Sequence, residues 1–300
     1  MKTRMLAFVM VAWIASIATY AQKDYTFKVL VNKGKNEVKA GDGWQLVKVG
    51  ASLNGTDELK LAENSYLGLV HVSGKPLEVK QAGKYKVDVL AKQVSGGTSV
   101  LNKYTDFILS SNTTKRNTLT ATGAVHRGAD VIELYLPKAE SAVVYNNEVI
   151  INWDASKIPG PYLVSFNSMF EDQLDEIATT ESNVKVNLSS KNFENEDNIL
   201  VVVRSKSDPS KISEKYTLKK LSKADKERIK NSLNEISSSL AEKTAMDQYI
   251  LAGFYEENKL IIDAITAYQE AIRLAPDVPS FQEDYNTFLI RHGLKEVKKK

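Results

Sequence analysis

The chain has 300 residues, of which 43% are hydrophobic and 26% are charged, and it contains no cysteine. This apolar content excludes an intrinsically disordered chain, and 15 glycines and 7 prolines are too few for collagen-like or low-complexity sequence. The missing cysteines exclude disulfides, thiolate nucleophiles, zinc fingers and a lipid-modified N-terminal cysteine. At roughly 100 to 150 residues per domain, the length indicates two or three domains.

The first 21 residues are typical of a secretory signal peptide. Lys2 and Arg4 precede an uncharged apolar run over residues 5–19, and Thr19-Tyr20-Ala21 offers small residues at a cleavage site. The run is shorter than the ~20 residues of a membrane span, which favours a cleaved signal over an uncleaved anchor. We therefore expect an exported protein, periplasmic or extracellular, that is soluble or peripheral to the envelope and has no membrane span after cleavage.

The formal net charge of +3 is unevenly distributed. Residues 22–137 carry +5, residues 138–220 carry −3 and residues 221–300 carry −1. The lysines of the basic segment are spread singly along predicted strands, which argues against a nucleic-acid partner. The lysines that could form a face for an anionic ligand are Lys33, Lys35, Lys39 and Lys48.

Residues 22–137 are predicted to form an all-β domain, because apolar and polar residues alternate along them. The alternation occurs at 27–31, 59–61 and 85–89, and it places apolar side chains on one face of each strand. Turn sequences at Asn54-Gly55 and Ser73-Gly74 separate these runs and favour hairpins. We expect a compact antiparallel barrel or sandwich.

Part of this segment carries leucines and glycines at strand spacing. The residues concerned are Trp44, Leu46, Val47, Leu53, Leu59, Leu61, Leu67, Leu69, Gly74, Leu77 and Gly83-Lys84-Tyr85. In this order they resemble the FecR-like family, with short strands, alternating leucines, a glycine turn and a returning strand. The resemblance implies a periplasmic module that senses or binds envelope components. The family's regulators place a cytoplasmic segment and a membrane helix before this domain, where this chain has the signal peptide, so a role in transmembrane signalling is not implied.

Residues 138–220 are predicted to form a second small β domain. Strand candidates lie at 142–145, 149–153, 162–166, 184–188, 199–203 and 216–218. The polar run 171–183 is expected to be a loop, as is the acidic stretch 194–197, which lacks the glycine of a calcium-binding EF-hand loop. With Trp153 ending the second strand, the pattern resembles a fibronectin type III or immunoglobulin-like sandwich, a fold used for spacers and for binding modules.

Residues 221–300 are predicted to form a helical region, because from Ser222 onward apolar residues recur every three or four positions. Ser222 followed by Asp225 resembles a capping box, and Thr244 with Asp247 starts a second pattern. The first apolar stripe consists of Ile229, Leu233, Ile236 and Leu240. Three further helices are predicted at Ala245–Glu257, 260–274 and 280–291.

Residues 245–278 contain the most specific motif of the chain. Seven residues fall at the positions of a 34-residue tetratricopeptide repeat (TPR): Leu251, Ala252, Tyr255, Ala264, Tyr268, Ala271 and Pro276. The alanines permit close helix crossing and the tyrosines fill the space beside them. The chain thus resembles a TPR protein with one repeat and flanking helices, although Gln248 replaces the tryptophan-like first position.

The TPR resemblance implies an inner face that binds a protein partner. By the family's pattern this face consists of Met246, Tyr249, Gly253 and Glu256. A peptide groove usually needs about three stacked repeats, and this chain has one. Two alternatives stay open: the face packs internally, or the repeat pairs with another chain.

The chain lacks the motifs of the common enzyme classes. It has no nucleophile elbow, phosphate loop, zinc-protease helix or dinucleotide fingerprint, and His71, His126 and His292 are far apart in sequence. We therefore predict a non-enzymatic, exported interaction or scaffold protein without cofactor or metal, which binds a protein partner, or a second copy of itself, through its TPR-like helices and β modules. The alternative is a cell-envelope module whose basic N-terminal domain recognises an anionic glycan or lipid head group.

Overall fold

The computed structural model describes residues 25–40, 43–116, 131–138, 142–240 and 242–296. The predicted signal peptide and His126 lie outside these ranges. The described residues form several antiparallel β-sheets and six α-helices, which confirms a mixed β and α composition. None of the helices in these ranges has the length and apolar content needed to cross a bilayer.

The N-terminal unit consists of two four-stranded antiparallel sheets. Its strands are β1 (Phe27–Lys33), β2 (Glu37–Ala40), β3 (Gly43–Leu46), β4 (Ser52–Leu53), β5 (Glu58–Leu61), β6 (Tyr66–His71), β7 (Pro76–Val79) and β8 (Gly83–Lys86). The first sheet has the order β4-β1-β6-β7, and the second has the order β3-β2-β5-β8. Alternating residues such as Phe27, Val29 and Leu59 are buried in one core between the sheets, as predicted.

The all-β prediction for residues 22–137 is wrong in two places, the first of which is helix α1 (Val87–Gln93). The alternation at 85–89 predicted a strand through Val89, but the strand ends at Lys86. Val87 and Leu90 are buried, whereas Val89 is 47% exposed. The two buried apolar residues are therefore three positions apart, which is the spacing of a helix face and not of a strand.

The second correction is helix α2 (Leu101–Arg116). Leu101, Tyr104 and Ile108 are buried at helical spacing on one side of it. The segment also contains several serine, threonine and asparagine residues, which favour turns over helices in isolation. Packing against the rest of the protein stabilises this helix, because its local propensity is weak.

The middle unit has two sheets that share one core. Its strands are β9 (Val143–Val144), β10 (Glu148–Asn152), β11 (Tyr162–Asn167), β12 (Gln173–Thr179), β13 (Asn183–Asn187), β14 (Asn198–Ser205) and β15 (Tyr216–Lys220). The order is β12-β11-β14-β15-β9 in one sheet and β10-β13 in the other. The expected antiparallel pairing fails at one place, because β9 runs parallel to β15. Trp153, predicted at the end of a strand, is 2% exposed and packs edge-on against Tyr162, with 5.1 Å between the ring centroids.

Strand β12 corrects the prediction that residues 171–183 form a loop. It lies at the edge of its sheet, paired only with β11, and its side chains are half-buried or exposed. Only Leu174 and Ile177 of this strand pack against the core, and their spacing of three residues is not the alternation typical of a strand. Upstream of the predicted boundary at 138, Ile132 and Leu134 also lie in the core of the middle unit, and Leu134 bridges to Trp153.

Four helices follow, as the apolar period predicts. They are α3 (Lys223–Ser237), α4 (Ala245–Glu257), α5 (Ile261–Leu274) and α6 (Pro279–Arg291), here called the helical region. Ser222 caps α3 by accepting the Asp225 N–H, and Thr244 with Asp247 forms a reciprocal capping box on α4. Both caps predicted from the sequence are thereby confirmed.

The helical region lies between the N-terminal and middle units and contacts both. Leu30 and Tyr66 of the first sheet share one buried cluster with α2 and α3–α6. On the opposite side, Ile262 of α5 enters the core of the middle unit. The last helices of the chain therefore cover the outer face of its first sheet and bury Leu30 there. Val31, which the alternation at 27–31 placed on the same face as Phe27 and Val29, lies in this outer cluster instead, because a β-bulge between Val29 and Val31 shifts the register.

Candidate functional site

The TPR-motif residues lie where α4 and α5 pack together. Ala252, Ala264 and Ala271 are completely buried, and Tyr268 is 1% exposed. The other members are Leu251, which is half-buried, Tyr255, which is buried, and Pro276, which is exposed after the end of α5. Small residues at these positions allow the two helices to approach closely. The buried members of the motif therefore stabilise a helical hairpin.

The predicted partner-binding face is also in the interior. Met246, Tyr249, Gly253 and Glu256 are all buried. The Tyr249 hydroxyl donates to Asp284 Oδ2 at 2.5 Å and accepts from Asn112 Nδ2 of α2 at 3.0 Å. In this structure the four residues thus pack internally, which is one of the alternatives that the sequence leaves open.

Two glycines show how closely this face is covered. A Cβ atom added to Gly253 would lie 2.6 Å from Cγ1 of Ile108 in α2. A Cβ atom added to Gly68 of β6 would lie 2.4 Å from the sulfur of Met246. Helix α2 and the first sheet therefore pack directly against this face.

Glu256 belongs to a buried ion pair at the end of the helical region. Its carboxylate accepts two hydrogen bonds from Arg291, at 2.7 and 2.6 Å, and its Oε1 lies 2.9 Å from Nε2 of His292. The side chains of Glu256 and Arg291 are only 5% and 4% exposed. This paired arrangement fixes the end of α6 against α4.

His71, like His292, has a structural partner. Its Nδ1 lies 2.8 Å from the Ser73 hydroxyl, its ring packs against Phe27, and burial lowers its pKa. Within the described residues, no group of three or more histidine, aspartate or glutamate side chains is arranged to hold a metal ion.

The helical region joins the middle unit through hydrogen bonds. Both oxygens of the Asp263 carboxylate accept backbone N–H groups, from Tyr145 at 2.9 Å and Asn146 at 2.8 Å. The Thr266 hydroxyl accepts the N–H of Ile150 at 2.9 Å. Burial raises the pKa of Asp263 to about 6, although the two N–H groups oppose the shift.

The four lysines predicted to face an anionic ligand lie on different elements. Lys33 ends β1, and its ammonium contacts Asp277 Oδ2 at 2.6 Å, which lowers the pKa of Asp277. Lys35 and Lys48 are exposed in loops. Lys39 lies on β2 in the second sheet. The predicted set is therefore dispersed, and Lys39 alone of the four lies on that sheet.

The outer face of the second sheet gathers a different basic set. In the strand register Lys39 is opposite Trp44 and Glu58, Lys60 is opposite Glu37 and Lys84, and Glu58 is opposite Lys86. Residues two apart in a strand point the same way, so these side chains share one face. We call this surface the Trp44 face; it consists of Glu37, Lys39, Trp44, Leu46, Glu58, Lys60, Lys84 and Lys86.

The Trp44 face combines an exposed aromatic ring with a surplus of positive charge. Trp44 is 36% exposed and Leu46 is 58% exposed. The ammonium nitrogens of Lys60 and Lys84 each lie 6.0 Å from the centre of the Trp44 ring. Lys60 also pairs with Glu37 at 3.3 Å, so four lysines oppose two glutamates on this face.

Comparison with known proteins does not decide the function. No protein-family model and no curated protein matches this chain. The resemblances to TPR, FecR-like and fibronectin or immunoglobulin-like domains thus rest on the residues quoted above. The Trp44 face was missed by sequence reasoning, although charged residues recur two apart in Glu58-Leu59-Lys60 and Lys84-Tyr85-Lys86.

Proposed function

We propose that this protein is a non-enzymatic binding protein of the cell envelope whose Trp44 face recognises an anionic polysaccharide. The observation that carries the proposal is an exposed indole ring flanked by lysines on a sheet face whose side chains are exposed or half-buried. An indole ring offers a flat apolar surface for the C–H face of a sugar ring. The neighbouring ammonium groups offer partners for carboxylate or sulfate groups on the same polymer.

The shape of the face favours a polymer over a small anion. The lysines are distributed over β2, β5 and β8, and Trp44 lies on the edge strand β3. Four strands about 4.8 Å apart give an open surface about 14 Å wide. A small anion would need several donors converging on one point, whereas a chain carrying one charge per repeat can contact lysines that are spread apart.

The other parts of the chain support this assignment. The predicted signal peptide would bring the protein to a compartment that contains anionic glycans. The helical region buries its TPR-like face internally, which supports a structural role in joining the two β units. A second candidate function, binding of a protein partner, is favoured by Met169 and Phe170, which are 51% and 89% exposed between β11 and β12.

The proposal is tested by titrating the purified protein with polygalacturonate, with dextran as the neutral polymer and phosphatidylglycerol vesicles as the lipid alternative. We expect saturable binding to polygalacturonate that weakens with salt, and no salt-sensitive binding to dextran. Trp44→Ala and Lys84→Glu should each weaken the affinity about tenfold, which corresponds to about 1.4 kcal/mol.

Two variants are matched controls for that titration. Phe170→Ala removes an exposed aromatic ring from the middle unit, and Lys226→Glu reverses an exposed lysine on α3. Both should leave the affinity unchanged. Equal weakening by all four variants would refute the Trp44 face as the site, and binding to vesicles without binding to the polymer would replace the polysaccharide with a lipid head group.

A further inference from the structure

A cleft of about 310 Å³ lies where the middle unit meets the helical region. We infer that this cleft is a second binding site, for one unit of a neutral, hydroxyl-rich ligand such as a sugar. The inference does not depend on the Trp44 face, which lies on the N-terminal unit.

The chemistry of the lining favours a neutral ligand. Five carboxamide side chains contribute to the walls: Asn152, Asn183, Gln269, Gln282 and Asn286. A carboxamide both donates and accepts hydrogen bonds, and so does a hydroxyl group. The lining contains no carboxylate for a cationic ligand. A set of amides without opposing charges is therefore suited to a ligand that carries several hydroxyl groups.

The one charged group in the lining is already engaged. The Lys295 ammonium donates to Asn286 Oδ1 at 2.7 Å and lies 5.8 Å from the centre of the Tyr135 ring. A single ammonium with these partners gives weak selection for anions, which usually need several donors. It also orients the Asn286 amide, because the oxygen of that amide is fixed by the lysine.

A buried donor at the wall lacks a partner. Asn152 is 5% exposed and lines the cleft. Its Oδ1 accepts the Tyr285 hydroxyl at 2.9 Å, whereas its Nδ2 has no hydrogen-bond partner among the described residues. Buried polar groups are normally paired, so an unpaired one calls for an acceptor. The nitrogen itself is buried, so a ligand hydroxyl would supply this acceptor after a small shift of the Asn152 side chain.

The walls are held in place before any ligand arrives. One wall comes from β10 and the start of β13, and the other from α5 and α6. The Tyr285–Asn152 bond and the Thr266–Ile150 bond join these walls, and Ile262 packs in the core behind them. A preformed site loses little conformational entropy on binding. Its volume is at the lower end for ligand pockets, which fits one ring-sized group better than a polypeptide segment.

The test titrates the intact protein with glucose and N-acetylglucosamine as neutral probes, glucuronate as the anionic analogue and N-acetyl-trialanine amide as the peptide probe, followed by protein NMR. We expect both neutral sugars to bind with millimolar affinity that does not change with salt. Gln282→Ala and Asn286→Ala should weaken this binding at least fivefold. Gln282 is exposed, so its removal leaves the fold intact.

Two controls separate this site from others. Gln173→Ala removes an exposed carboxamide from β12, outside the cleft, and should have no effect. Trp44→Ala should also have no effect, which distinguishes this site from the proposed polysaccharide face. The inference is overturned if neither neutral sugar saturates, if glucuronate or the peptide binds the Trp44→Ala variant more tightly than the sugars do, or if Gln173→Ala weakens binding as much as Gln282→Ala does.

Discussion

The two sheets of the N-terminal unit present contrasting outer faces. The first sheet carries Leu30, Val31 and Tyr66 outward, and the helical region buries them. The second sheet carries lysines and Trp44 outward, and the side chains of its edge strand β3 are all exposed. Both sheets share the same core on their inner faces. The composition of the outer face therefore decides whether a sheet becomes an internal contact or stays available to a ligand.

The sharpest way to test this contrast is to shorten one leucine on each sheet. Leu30 is 2% exposed on the first sheet, and Leu46 is 58% exposed on the second. Leu30→Ala should lower the free energy of unfolding by about 2–5 kcal/mol, because it leaves a cavity beneath the helical region. Leu46→Ala should change it by less than about 0.5 kcal/mol. Urea titration of both variants measures the difference, and similar losses would show that the second sheet is also covered.

The interface between the helical region and the middle unit should respond to pH, unlike the buried face of the first sheet, because it contains the buried carboxyl group of Asp263. Burial raises the pKa of this carboxyl from 3.8 to about 6, so the folded protein binds the proton more tightly than the unfolded chain does. Stability from this group therefore increases as the pH falls from 6 to 4, by up to about 3 kcal/mol. Above pH 6 both states are ionised and the contribution is constant.

Urea titrations of the wild type and of Asp263→Asn between pH 4 and 7 measure this effect. The variant should lack the increase, since an amide does not titrate. Other buried acids such as Asp247, whose pKa is also raised by burial, contribute equally to both proteins, so the difference between the two curves isolates Asp263. Parallel curves would contradict the prediction.

The packing of the helical region should also be sensitive to a larger side chain at Gly253. A Cβ atom at this position would meet Ile108, whereas a Cβ atom at Gly43 on the second sheet would have nothing within 4 Å. Gly253→Val should lower the free energy of unfolding by about 1–3 kcal/mol through overpacking. Gly43→Val should be near neutral. Thermal unfolding of the pair measures the contrast, and an unchanged melting temperature for Gly253→Val would mean that α2 is free to move away.

Much of this architecture could be predicted from periodicity and capping. Ser222 and Thr244, each followed three residues later by an aspartate, predicted the starts of α3 and α4. Alternating apolar residues predicted most strands in both β units. Helix α2 was missed because its local propensity is weak and only three of its buried residues are apolar, and β12 was missed because its apolar residues do not alternate.

Both candidate sites are formed by segments that lie far apart in the sequence. Local sequence patterns therefore do not predict them. The Trp44 face requires the register that sets Lys39 beside Trp44 and Lys60 beside Lys84. The cleft requires α5 and α6 to lie against β10, more than a hundred residues earlier in the chain. The lysines chosen from the sequence were adjacent in the chain rather than in space. One of them, Lys33, was engaged by Asp277, 244 residues away.

Breaking the ion pair between Lys33 and Asp277, at the end of β1, is expected to change the free energy of unfolding least. The side chains of Lys33 and Asp277 are 23% and 71% exposed, so solvent and salt screen their attraction. Lys33→Ala should lower the free energy of unfolding by no more than about 1 kcal/mol, and this loss should disappear at 1 M salt. Urea titration at low and high salt measures it. A larger loss that does not depend on salt would mean that the apolar part of the Lys33 side chain packs against the helical region. The buried surface of the first sheet would then extend to the end of β1.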